Sequence, residues 1–297
     1  MRTALFSRTK PITGGTKRGG EDENGLFDLK PIAQFPLEAR RAIRGVLTDI
    51  DDTLTTEGNL AAAAYAALER LRDAGLLVVP VTGRPAGWCD HIARMWPVDA
   101  VVGENGAFWM RYDRKLRKLS TVQVADATLR AGRLHRLEEL SLQLLAAVPG
   151  CAIASDQFCR ISDLAIDYCE DVPPLPDTAV DEIRRRMEAA GLTVKVSSIH
   201  VNGWFGDYDK LSTTRRLLAE EFKFDLDGVG ERERWVFIGD SPNDAPMFGF
   251  FPNAVGVANV AAYADKIEHL PTWITDSACG AGFIELTEAL VQARKLF

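Results

Sequence analysis

The sequence predicts an α/β protein, a doubly wound parallel sheet interrupted by an inserted α+β domain. Three observations carry this. From Gly45 onward short apolar runs alternate with helical segments, as buried parallel strands and their crossovers do. Between about Phe108 and Trp204 that rhythm breaks, and it resumes afterwards. Three polar clusters, Asp49–Thr53, Thr82–Arg84 and Asp240–Asp244, each follow an apolar run, which is where open parallel sheets place their ligand-binding groups.

Taken in order, residues 1–40 include "PITGGTKRGGEDENG", glycine-rich, charged and aperiodic, and read as a flexible tail. "GVLTDI" is a short buried strand. "NLAAAAYAALERLRDAG" is a helix of alanine and leucine formers, with Asn59 as N-cap and Gly75 as its stop. "LLVVPVTG" is a second strand, "WCDHIARMW" a helix, and "DAVVGENGA" a third strand with its loop. Inside the insert, helices "ATLRAGRLHRLEELSLQLLAAV" and "TAVDEIRRRMEAAG" accompany strands "FWMRYD", "RISDLAIDY" and "TVKVSSIHVN". "KLSTTRRLLAEEF" then reads as a helix, and "RWVFIGD" and "AVGVAN" as strands. The expected division is a tail over 1–40, a core from 41–107 and 205–297, and an insert over 108–204.

The 297 residues are 46% hydrophobic and 26% charged, the balance of a globular protein. A net charge of −7 argues against nonspecific nucleic-acid binding, which needs a concentrated basic face. No apolar run approaches the roughly 18 residues of a membrane span, and "MRTALFSRTK" lacks a secretory apolar region. The five cysteines are widely spaced with no C-x-x-C pair, so reduced thiols in a cytoplasmic protein are expected rather than a zinc site.

In "VLTDIDDTLT", an extended backbone puts Asp49 and Asp51 on one face and Asp52 on the other. Alone, D-x-D describes a turn or cap equally well, and "DYD" at Asp207–Asp209 repeats the spacing. "VVPVTGRP" sets Thr82 at a strand end before a glycine, where a hydroxyl and free N–H groups can hold a phosphoryl oxygen. "VFIGDSPND" supplies Asp240, Asn243 and Asp244, hard oxygen groups that suit Mg2+. Lys210 precedes a helix; beside Asp49 and Asp240 it would offset their charge.

Read together, "DIDDT", "VTGR", Lys210 and "GDSPND" resemble the four motifs of the haloacid dehalogenase (HAD) superfamily of phosphohydrolases, from about Gly45 to the C-terminus. The insert between the second and third motifs is similar to the type-IIB cap of Cof-type and sugar-phosphate phosphatases. "VVGENGA" (Val101–Ala107) resembles the segment entering that cap. The resemblance implies a Rossmann-like core with a cap, and Asp49 as a nucleophile that forms an aspartyl phosphate. Asp51 is then the general acid and base. Asp49, the main-chain carbonyl of Asp51 and Asp240 would hold Mg2+, with Asp244 as a further ligand or as partner to Lys210. Thr82 and Lys210 would bind the phosphoryl group, and Arg84, Asn105 and Asn243 are substrate-side candidates. Relatives commonly carry glycine at the Asp52 position, so Asp52 is expected to shape the loop.

The activity so implied is Mg2+-dependent hydrolysis of a small phosphorylated metabolite by a monomer or homodimer. A phosphomutase and a noncatalytic phosphometabolite-binding protein are the alternatives. In "SSIHVNGW", strand alternation turns Ser198, His200 and Asn202 toward the site and Ile199 and Val201 toward the cap helices. Such a hydrogen-bonding wall favours a sugar or polyol phosphate. "CRISDLAIDY" adds Arg160, Asp163 and Asp167 as candidates, whereas Trp88, Trp96 and Trp204 read as packing residues.

Overall fold

The computed structural model describes residues 29–197 and 199–295. The first elements are β1 (Lys30–Pro31), α1 (Leu37–Ala42), β2 (Gly45–Thr48), α2 (Ala62–Asp73), β3 (Leu77–Pro80), α3 (Ala86–Met95) and β4 (Val101–Gly103). A hairpin, β5 (Phe108–Asp113) and β6 (Lys118–Gln123), leads into α4 (Ala127–Ala147), β7 (Ala152–Ile153), β8 (Asp163–Asp167), α5 (Asp177–Ala189), β9 (Thr193–Val196) and β10 (His200–Trp204). The chain returns through α6 (Lys210–Phe222), β11 (Trp235–Gly239), α7 (Ala245–Phe250), β12 (Val255–Gly256), β13 (Trp273–Ile274) and α8 (Cys279–Lys295).

The central sheet runs β1-β13-β12-β11-β2-β3 with every pair parallel. Its inner strands β2, β3 and β11 are largely apolar runs because both faces are covered there. On β2, Val46 packs with Leu68 and Leu286 on one side, while Leu47 packs with Leu217 and Phe248 on the other. From β2 the chain moves outward to β3, then re-enters on the opposite side of β2 as β11. That reversal opens a crevice at the carboxyl ends of β2 and β11, the position at which open α/β sheets bind ligands.

The second sheet, β7-β8-β10-β9, is antiparallel and obeys a period of two. Leu164, Ile166 and Val201 point to one face and pack on Leu137 and Leu144 of α4 and Ile183 and Met187 of α5. The opposite, polar face looks across the crevice.

Four expectations need correction. The tail was expected to reach residue 40, but Lys30–Pro31 pair with Trp273–Ile274 and Phe35 stacks on Trp273, so this part belongs to the core. Residues 1–28 lie outside the described residues. The strand Phe108–Asp113 was assigned to the insert; instead it pairs with β4, and Phe108 and Met110 join the core cluster with Cys89 and Ile92 of α3. Asn59 caps no helix: it closes a turn with Thr56, and α2 begins three residues later behind Ala61. "TVKVSSIHVN" is two strands rather than one, because the Ser197 hydroxyl accepts the His200 N–H and turns the chain between β9 and β10.

Candidate active site

The register of the sheet brings the first and last motifs together. Ile238 of β11 lies opposite Thr48 of β2, so the residues that follow these two strands emerge side by side. Asp49 N–H donates to the Ile238 carbonyl at 2.9 Å, and Asp240 follows one residue beyond β11. Carboxylate oxygens of Asp49, Asp240 and Asp244 consequently lie within 4.8 Å of one another, all buried. Lys210 Nζ donates to Asp49 Oδ1 at 3.0 Å and to Asp244 Oδ1 at 2.8 Å.

Each member is fixed from behind. Asp244 Oδ2 accepts the Asp240 N–H at 3.1 Å, which ties the loop after β11 into a capped turn. Asp240 accepts from the Thr53 hydroxyl at 3.0 Å and from Asn259 Nδ2 at 3.3 Å. Lys210 opens α6, whose N-cap Asp209 makes a capping box with Ser212. Thr213 on the same turn donates to the Gly106 carbonyl at 2.6 Å. Glu104, Asn105 and Gly106 are all left-handed, and a Cβ on Gly106 would sit 2.1 Å from the Asp209 carbonyl oxygen. Glycine is required there because the turn presses directly on the start of α6.

Electrostatics follow from crowding. Burial raises the Asp49 carboxyl to about 7; Lys210 opposes the shift, and Asp244 and Asp51 add to it. Burial, with Asp49 and Asp244, likewise pushes Asp240 well above the usual carboxylate range. Burial disfavours the Lys210 charge, yet Asp244 and Asp49 outweigh it and hold the ammonium protonated. Three buried carboxylates against one lysine leave negative charge unbalanced. A donor set of hard oxygens with excess negative charge fits a divalent cation such as Mg2+.

Asp51 stands apart from this set. Its carboxylate is gripped by Arg84, with Nε at 3.0 Å and Nη2 at 2.8 Å, so the side chain does not join the acidic triad. Any share of Asp51 in a metal site is left to its main-chain carbonyl. Arg84 also reaches Glu170 of the cap at 3.3 Å and stacks on Trp88. Trp88 is therefore no packing residue; it is 46% exposed and backs the guanidinium. Trp204, by contrast, is buried and stacks on Tyr208.

A narrow cleft lies between the core and the polar face of the cap sheet. Asp49, Asp51, Gly83, Arg84, Asn105 and Asn243 line it from the core; Lys195, Ser197, Ile199, His200 and Asn202 line it from the cap. Ile199 was expected against the cap helices, but the turn after β9 swings it to the cleft. Ser198 lies outside the described residues. Thr82 is buried beneath the cleft floor, where its hydroxyl accepts the Arg84 N–H at 3.0 Å. Asp52 has φ 54°, and its carbonyl accepts from Asn259 at 3.0 Å, so it shapes the loop through its backbone. His200 Nε2 is 2.9 Å from Glu170 Oε2, off the line of its N–H. His200 and then Arg84 hold the Glu170 carboxyl down at about 2.

Several residues that build the site carry no motif. Glu104 is fully buried and accepts from Ala86, Ile161 and Ser162 N–H at 3.0, 2.9 and 2.6 Å, which straps the cap loop onto the core. Burial, with Asp163 nearby, raises its carboxyl to about 8. Beside it Arg160 pairs with Asp156 and Asp163 and donates to the Gly83 carbonyl at 3.0 Å. Asp163 in turn accepts from Asn202 at 3.0 Å, so these candidates orient the cleft wall from outside it. Asp167 accepts the N–H groups of Cys169, Glu170 and Asp171 and thereby presents Glu170. Glu104→Ala strands three donors and is expected to lower the unfolding free energy by about 3 kcal/mol in urea titrations. An unchanged midpoint would show that the strap contributes nothing.

Comparison with known proteins agrees with this geometry. The family model described as haloacid dehalogenase-like hydrolase matches residues 46–129. A phosphoglycolate phosphatase of Methanospirillum hungatei is 24% identical over 253 residues, covering 82% of this chain and 95% of that protein. Thermoplasma acidophilum 0175 has a solved structure that superposes with a TM-score of 0.63 at 20% identity, covering 84% of this chain and 98% of that one. The sucrose-phosphatase from Synechocystis, solved with sucrose and phosphate, superposes with a TM-score of 0.57 at 16% identity, covering 84% and 98% respectively. No helix among the described residues is long and apolar enough to cross a membrane. Residues 46–129 thus match the haloacid dehalogenase-like hydrolase model, and the sheet topology with its inserted α+β unit is similar to the fold of the solved structures above.

Proposed function

We propose that this enzyme, a phosphohydrolase, is a Mg2+-dependent phosphomonoesterase of a small metabolite that works through an aspartyl phosphate on Asp49. The single observation that carries this is the Lys210–Asp49–Asp244 contact beside Asp240: a nucleophile, a fixed cation and hard oxygen donors in one buried cluster. Asp49, Asp240 and Asp244, with the Asp51 carbonyl, would hold the metal. When bound, Mg2+ would offset the charge on Asp49 and on the phosphate dianion that it must approach.

In this reading Asp49 attacks phosphorus as the ester oxygen leaves, and Asp51 delivers a proton to that oxygen. Asp51 then takes a proton from water as the water attacks the aspartyl phosphate, releasing inorganic phosphate. Arg84 orients the Asp51 carboxyl, and an arriving phosphate competes for the same guanidinium. Gly83 and Lys210 would serve the phosphoryl end, with Thr82 bracing the loop beneath them, while the cap faces the leaving group. The chemistry of the lining suits two kinds of leaving group. His200 and Asn202 suit the hydroxyls of a sugar or polyol, and the sucrose-phosphatase neighbour was solved with sucrose; the phosphoglycolate phosphatases among the relatives suggest a small hydroxy acid.

Phosphate release from a panel of phosphorylated metabolites is expected to require Mg2+ and to stop on adding EDTA. Transfer to a sugar bisphosphate without phosphate release would instead mark a mutase. Saturating Mg2+ should raise Tm by several degrees, since a ligand at about 100 times its Kd stabilises the folded state by about 2.7 kcal/mol. Asp240→Asn should remove that shift. An equal shift in the variant would place the metal elsewhere.

A further inference from the structure

Among the described residues two permanently cationic side chains, Arg84 and Lys195, line the cleft, and Lys210 lies buried behind Asp49. Lys210 is held by Asp49 and Asp244, and Arg84 by Asp51 and Glu170. Lys195 is the one on the cap. Among the described residues no carboxylate lies within ion-pair distance of its ammonium group.

Its position is set by strand geometry. On β9, Val194 and Val196 pack into the apolar cluster with α4 and α5, so Lys195 takes the opposite face. In register it lies across from Asn202 of β10, whose side chain is on the same cleft wall. Lys195 is partly buried and lines, from the cap, the same cleft that Asp49 and Asn105 line from the core. In the reading proposed above, the phosphoryl end lies on the core, at Gly83 and at Lys210 beside Asp49. A cation on the cap therefore meets the part of the substrate that leaves.

We infer that Lys195 is a specificity-determining residue that reads a carboxylate on the leaving group. The preferred substrate is then a phosphate ester of a small hydroxy acid rather than of a neutral polyol. An ammonium group withdrawn from bulk water gains most from an opposite charge, and a hydrogen bond between ions is about twice as strong as one to a neutral hydroxyl. His200 and Asn202 would supply the neutral contacts beside it. This inference rests on the phosphomonoesterase reading and adds the identity of the leaving group to it.

The test uses two esters of one skeleton, 2-phosphoglycolate and 2-hydroxyethyl phosphate, which differ by a carboxylate in place of a hydroxymethyl group. With Mg2+, the wild-type protein is expected to show a kcat/KM ratio favouring phosphoglycolate by roughly 10- to 100-fold. In Lys195→Gln that ratio should collapse to within a few-fold of unity, mainly through KM for the acid, and Lys195→Arg should restore most of it. A wild-type ratio near unity would overturn the inference, and so would a ratio unchanged in Lys195→Gln. Turnover of p-nitrophenyl phosphate separates the two levels of failure. If that ester is hydrolysed while the ratio does not respond, only the role of Lys195 falls. If no ester releases phosphate with Mg2+, the phosphatase reading falls with it.

Discussion

Asp49→Asn is expected to reduce Mg2+-dependent phosphate release by at least about 10^4-fold, the scale on which removal of a covalent nucleophile acts. The substitution keeps the size of the side chain, and its amide oxygen can still accept from Lys210, now 3.0 Å from Oδ1. One of the crowded carboxylates disappears, so the metal-free variant should melt no lower than wild type. Those two results together separate chemistry from folding. An amide oxygen cannot form a stable acyl phosphate under these conditions, so no phosphorylated protein should accumulate on rapid quenching. Turnover within tenfold of wild type would exclude Asp49 as the nucleophile.

Lys210→Met should have the largest effect on stability. Lys210 is 3% exposed and bonds two buried carboxylates, and removing one partner of a buried ion pair costs about 3–5 kcal/mol because the other is left uncompensated. The loss should depend on pH in a defined direction. In the wild-type site the Asp49 carboxyl, ordinarily at 3.8, is already raised to about 7 with Lys210 opposing the rise. Without Lys210 it must climb further, as must its neighbours. An acid whose folded pKa exceeds its unfolded one costs no stability below the unfolded pKa and progressively more as pH rises toward the folded one. The difference between variant and wild type should therefore be small near pH 4 and grow through pH 7 and above. Urea titrations at several pH values in EDTA would measure it. A pH-independent difference would mean that Lys210 contributes packing rather than charge.

How much of this was legible in the chain depends on the kind of interaction. Apolar runs of four or five residues with helices between them fixed a parallel sheet, because only burial on both faces explains strands without polar alternation. Parallel strands all point the same way, so polar residues that follow them collect at one edge. That made Asp49, Thr82 and Asp240 neighbours before any contact was seen. Period-two alternation also placed His200 and Asn202 on the cleft side of the cap and Val201 on its helices. Lys195 was not legible in this way, because reading "TVKVSSIHVN" as one strand sets it on the face opposite His200 and Asn202, and only the turn after β9 brings it to the cleft.

What periodicity cannot supply is the partner that a loop or a distant strand end will meet. Asn259 reaches the Asp52 carbonyl across 207 positions, Glu104 straps Ser162 across 58, and Arg84 takes the Asp51 carboxylate across 33. The sheet boundary behaved in the same way. "FWMRYD" reads as a strand from composition alone, but whether it belongs to core or cap was decided by which apolar surface lay within reach, and that was α3. The sequence by itself determined the alternation of buried parallel strands with helices and the sheet edge at which the acidic groups emerge, since these follow from burial and local backbone geometry. Only the tertiary structure decided how the charges are paired, because pairing depends on distances between segments that the chain brings together at the end of folding. Lys210 thus closes onto Asp49 and Asp244, Arg84 onto Asp51 and Glu170, and Lys195 is left facing the cleft.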